Sequence, residues 1–147
     1  MSDRKTATPL AGGCLCGAVR FRIRGAPRWV AICHCTSCRR AVGAVGVAWV
    51  GFMAAQVRFE GLEEHRFASS AGVSRGFCAR CGTSLSYRSD TRPDTIDLTV
   101  GAFDEPERLP PERSVWVSDR VSWAAHLDGL PSHRTLGDGD ADADGEN

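Results

Sequence analysis

Along most of the chain, hydrophobic and polar residues alternate in short runs. In "VRFRIR" at 19–24, Val19, Phe21 and Ile23 fall on one face and three arginines on the other, the period of a half-buried strand. "HRFAS", "VSRGFC", "SLSYR", "TIDLTV" and "SVWVS" predict further short strands, separated by Gly, Pro, Asp and Ser. The run "AVGAVGVAWVGFMAA" at 41–55 holds three glycines and falls short of the roughly 20 apolar residues a spanning helix needs. It reads as a buried strand with its flanks. Helix suits only "TSCRRAV" and part of 118–128. The pattern predicts a mainly β, compact antiparallel domain with one or two short helical turns.

Length and charge divide the chain further. Its 147 residues suit one domain, expected over 12–134, after a loose leader at 1–11 and before a tail at 135–147. That tail holds Asp138, Asp140, Asp142, Asp144 and Glu146, five of the 18 acids. The chain before it keeps 13 acids against 18 bases, a net of +5. A tail this polar cannot offset its own ordering entropy, so disorder is expected there. No hydrophobic signal core follows "MSDRKTATPL", which predicts a soluble, cytoplasmic protein without a membrane partner. The basic excess lacks interleaved aromatic residues, so nucleic acid is not an expected partner either. Lys5 is the only lysine, and this arginine bias gives any single arginine little functional weight.

The seven cysteines fall in three clusters: Cys14 and Cys16 in "GCLCG", Cys33, Cys35 and Cys38 in "CHCTSC", and Cys78 and Cys81 in "FCARCG". An odd number without a secretory signal argues against a disulfide framework. The spacings are those of zinc ligands, and the glycines after Cys16 and Cys81 suit tight metal-binding turns. A structural zinc is closed by four ligands, whereas a catalytic zinc keeps three and an open place. Seven cysteines divide naturally into four and three. The triplet can supply three ligands locally, and the two distant pairs would close the four-thiolate site.

His34 is the tempting extra ligand. In an extended segment it faces away from Cys33 and Cys35, so a packed position is expected instead. His65 is expected to be half exposed on a strand, and His126 and His133 at the surface. Arg39 and Arg40 follow the triplet, where a cation would balance the thiolates, although a solvated helix face suits them equally. Three thiolates leave zinc a weak Lewis acid, better suited to holding a thiol as thiolate than to making hydroxide from water. The ligand type therefore points to sulfur chemistry.

In wording and order, "GGCLCGAVRF", "CHCTSCRRAVGA", "VRFEG", "RGFCARCGTSL", "GAFDEPERLPPERSVWV" and "SWAAHLDGLPSH" resemble the glutathione-dependent formaldehyde-activating enzyme family, which includes centromere-protein-V-like proteins. The resemblance covers about residues 12–133. It implies a β-tent fold with two zincs, one structural at Cys14, Cys16, Cys78 and Cys81, and one catalytic at Cys33, Cys35 and Cys38. It also implies joining of formaldehyde to glutathione, with carbon–sulfur lyase chemistry in reverse. Ser114 departs from the pattern, because family members commonly have a histidine there. The expected partners are a small-molecule thiol and an aldehyde, with Arg39 a candidate donor to the developing alkoxide. The competing expectation is a non-catalytic zinc module that binds a protein partner through its β surface.

Overall fold

The computed structural model describes residues 8–136. Most of the expected leader and nearly all of the expected acidic tail lie outside the described residues. Among the described residues, ten strands form two sheets. The smaller joins β1 (Leu10–Gly13), β2 (Val19–Ile23) and β5 (Val57–Gly61) in the order β1-β2-β5. The larger contains β3 (Trp29–Cys33), β4 (Val47–Met53), β6 (His65–Ser70), β7 (Val73–Phe77), β8 (Ser84–Ser89), β9 (Thr95–Thr99) and β10 (Arg113–Val115). Its order is β10-β3-β4-β9-β8-β7-β6.

The core lies between the sheets. Val19, Phe21 and Ile23 of β2 are buried as their alternation predicts, and the Phe21 ring meets Phe103 edge-on at 4.9 Å. Val50, Phe52, Ile96 and Leu98 complete the apolar layer from the larger sheet. Close packing of such side chains is the main stabilising term, worth about 1.5–3 kcal/mol for each one fully buried. A buried polar cluster ties the segment between β5 and β6 to β8. Glu64 accepts from the Ser86 hydroxyl at 2.8 Å and pairs with Arg88. Gly76 permits this approach, since a Cβ there would lie 2.1 Å from Glu64 Oε2.

β4 is buried on both faces because Val47 and Trp49 on its second face pack in a separate cluster with Cys33 and Cys38, and Trp49 also lines a cavity. All strand ladders are antiparallel except β10 with β3, which is parallel. Three expectations shift. β1 begins at Leu10, inside the expected leader. The strand expected over "SVWVS" stops at Val115, because Trp116 adopts φ 55°, a left-handed conformation that a bulky side chain rarely takes. The helix considered within 118–128 is a 3-10 segment, Ser122–Gly129, with non-helical angles at His126.

Candidate functional site

The structure gathers the seven cysteines into two clusters, Cys14, Cys16, Cys78 and Cys81 in one and Cys33, Cys35 and Cys38 in the other. Within each, the sulfurs lie within 4.8 Å of one another. Cys14 follows β1, and Cys78 and Cys81 follow β7, so the first cluster spans both sheets. Its turns are set by Gly17 at φ 79° and Gly82 at φ 82°, whose N–H groups donate to the Cys14 and Cys78 carbonyls. Cys14 Sγ lies 3.6 Å from Cys16 Sγ, and Cys16 Sγ lies 3.9 Å from Cys78 Sγ. Tetrahedral bonds of about 2.3 Å to zinc would put sulfurs about 3.8 Å apart, so the donor set fits that metal. The Thr83 hydroxyl lies 3.3 Å from Cys81 Sγ and accepts from the Leu15 N–H at 3.0 Å. This hydroxyl and nearby N–H groups pull the Cys81 thiol down to about 5.

The second cluster is local. Cys33 ends β3, and Cys35 caps the helix α1 (Thr36–Val42), its sulfur accepting from the Cys38 N–H at 3.2 Å. Gly43, at φ 74°, ends the helix by donating to the Arg39 carbonyl. Burial pushes the Cys33 thiol up to about 12 and also raises Cys38. Burial acts the same way on Cys35, yet the Cys38 N–H, the neighbouring thiols and Arg75 bring it below the ordinary thiol value. Three crowded sulfurs cannot all ionise without a cation among them. Both clusters can hold a metal ion. His34 is buried and stands outside the sulfur cluster, as the alternation predicts.

Cys33, Cys35 and Cys38 open into a cavity of about 460 Å³. Its floor takes in Trp29, Asp97, Tyr87 and Arg75, which fall in one row across the larger sheet with Gly51 between Trp29 and Asp97. Gly51 lets the Trp29 ring lie on β4, since a Cβ there would come within 2.4 Å of it. Val115 and Trp116 add a wall, the latter turned by its left-handed backbone.

The cation at the thiols is Arg75, a residue the sequence did not single out. Its Nη1 donates to Cys38 Sγ at 3.6 Å, its Nε donates to the Ser69 hydroxyl at 3.2 Å, and its guanidinium lies 5.1 Å from the Tyr87 ring centre. Arg39, a candidate for this role or for a solvated helix face, does not line the cavity. It follows Cys38 by one position, about 100° around the helix. Ser114 is exposed, and its neighbour Val115 lines the cavity. His65, His126 and His133 are exposed. Only the alternation of "VSRGFC" hinted at Arg75, by placing it on the face of Val73.

Residues 9–119 match the family model described as glutathione-dependent formaldehyde-activating enzyme. The chain belongs to this family. Among its relatives, a Halomonas elongata protein named for glutathione-dependent formaldehyde activation is 31% identical over 123 residues, covering 78% of each chain. A Schizosaccharomyces pombe protein described as an uncharacterized lyase is 25% identical over 109 residues, covering 74% of this chain and 79% of that one. The crystal structure of a Rhodobacter sphaeroides protein shares the fold at a TM-score of 0.55 and 20% identity, covering 71% of this chain and 99% of the other. Among the described residues of this family member, no helix is long and apolar enough to cross a membrane.

Proposed function

We propose that this chain is a zinc-dependent enzyme acting on thiol–aldehyde adducts, with glutathione and formaldehyde the first candidates. The observation that carries the reading is the trio of thiols facing a cavity with a fixed arginine beside them. Cys14, Cys16, Cys78 and Cys81 would hold a structural zinc, and Cys33, Cys35 and Cys38 a catalytic one. Bound there, zinc would supply an incoming thiol as its thiolate at neutral pH.

The chain's own residues account for the rest of the chemistry. When the sulfur adds to the aldehyde carbon, a C–S bond forms and the C=O electron pair moves onto oxygen. Arg75 is placed to donate a hydrogen bond to that oxygen, and its contacts with Ser69 and Tyr87 fix it before the reaction begins. The alkoxide then takes a proton from solvent to give the hydroxymethyl thioether. The reverse steps break the same bond, which is carbon–sulfur lyase chemistry. Trp29, Trp49 and Val115 form apolar walls that limit water around the reacting atoms.

Because the condensation also runs unaided, the test is a rate. Exchange NMR on formaldehyde, a small thiol and their adduct should show faster exchange with zinc-loaded protein. Cys38→Ser should abolish the gain while the domain stays folded. Absence of both acceleration and thiol binding at a cobalt-substituted site, over several thiols, would overturn the proposal in favour of a protein-binding zinc module.

A further inference from the structure

Asp97 sits mid-sheet between Gly51 and Tyr87, in the row that floors the cavity. It is 5% exposed. Arg92 Nη2 donates to its Oδ2 at 3.1 Å, while Oδ1 is buried without a partner. By contrast, Arg20 and Asp104 pair through both carboxylate oxygens at the surface, with bonds of 2.9 and 2.5 Å. Arg92 is equally under-used, because a guanidinium has five N–H donors and its half-exposed side chain spends one here. The same cavity is lined by Trp49, whose Nε1 is also buried and unpartnered. Buried polar atoms are rarely left in this state unless a water or ligand completes them.

We infer that Asp97 and Arg92 form a second subsite of this cavity, which takes the α-amino-acid head of the thiol ligand. The ammonium donates to Asp97 Oδ1, and the carboxylate accepts from the spare N–H groups of Arg92 as that arm turns toward it. The head carries one charge of each sign, matching the pair that receives it. The strand register sets the ligand's length. Cys33 pairs with Val47 on one side of β4 and Asp97 with Gly51 on its other side, four positions along, so they stand roughly 14 Å apart along the strands and about two strand spacings, roughly 10 Å, across them. The ligand's ammonium therefore lies many bonds from its sulfur, and a two-carbon aminothiol is too short to engage both ends. This inference rests on the thiol chemistry proposed above and assigns its specificity to Asp97 and Arg92.

Calorimetric titration of the zinc-loaded protein tests it with γ-glutamylcysteine, glutarylcysteine, which lacks the ammonium, and 4-aminobutanoylcysteine, which lacks the carboxylate. Wild type should bind the first at least about tenfold more tightly than either of the others, the size of effect expected when a buried charged partner is left unpaired. Asp97→Asn should bind γ-glutamylcysteine and glutarylcysteine equally. Arg92→Gln should lose the preference over 4-aminobutanoylcysteine, and its half-exposed position keeps the test intact if the Asp97 variant does not fold. Equal binding of all three thiols by wild type, or an unchanged preference in both variants, overturns this subsite and leaves the thiol chemistry standing. Binding of none of them overturns both.

Discussion

Cys14, Cys16, Cys78 and Cys81 come from two sheets, with Cys16 and Cys78 lying 62 residues apart. Cys33, Cys35 and Cys38 come from the end of one strand and the first turn of the helix after it. On the reading proposed above, the same side chain would serve two purposes, decided by what it connects. A metal in the first cluster would tie the start of the domain to its middle, so its binding energy would be folding energy. The second cluster closes no long loop and faces a cavity. Its geometry is set by a helix cap that forms locally, so a metal held there could offer a coordination place to a ligand.

Serine substitutions break this contrast most sharply. Structural zinc contributes roughly 10–16 kcal/mol in apparent binding energy, which exceeds the net stability of most domains, about 5–15 kcal/mol. Cys78→Ser should therefore give protein without a cooperative melting transition by circular dichroism. Cys35→Ser should melt cooperatively and lose one of two zincs by elemental analysis. The reverse pattern would exchange the two roles.

Arg75 offers the next largest effect. Arg75→Gln should lower the exchange rate about 10²–10³-fold, the range seen when one donor to a developing oxyanion is removed. Zinc content should be unchanged, which separates a donor to the reacting oxygen from a residue that merely holds the thiols. At the other cluster, Thr83→Val removes the hydroxyl beside Cys81 Sγ. Competition with a chelator should show metal affinity there lowered about 10–100-fold, with the exchange rate of the fully loaded protein unaffected.

The smallest effect belongs to Arg20 and Asp104, which are partly exposed at 39% and 51%. Solvent screens such pairs, so Asp104→Asn should cost only about 0.2–1 kcal/mol in chemical denaturation. The Arg20 guanidinium holds the Asp104 carboxyl below its ordinary value. The contribution is therefore present above the ordinary carboxylate range and is lost as pH falls through the lowered value. Wild type and variant should converge in strong acid.

Much of this was legible in the sequence because the signals are local. The cysteine spacings, the alternation at Val19, Phe21 and Ile23, and the helix after Cys35 each depend on neighbours within a few positions. What escaped depends on distant pairing. Arg75 meets Cys38 from 37 residues away, in a chain so rich in arginine that no single one stood out. Asp97 is one polar residue within the strand candidate "TIDLTV", and nothing in that stretch announces that the return of β10 and Trp116 adds a wall over its face. β3 was missed because "WVAIC" is covered on both sides and carries no alternation. β10 pairs in parallel with β3, a register set by the whole intervening chain.

The separation of the cysteines also sets a timetable. At about 5–20 residues per second during synthesis, roughly 3–12 s pass between the emergence of Cys16 and that of Cys78. The three sulfurs from Cys33 to Cys38 emerge together within about a second, long before the distant pairs can meet. On the ribosome, the local trio is therefore the first of the two clusters whose sulfurs are all available to a metal ion, and the four-cysteine cluster is completed afterwards.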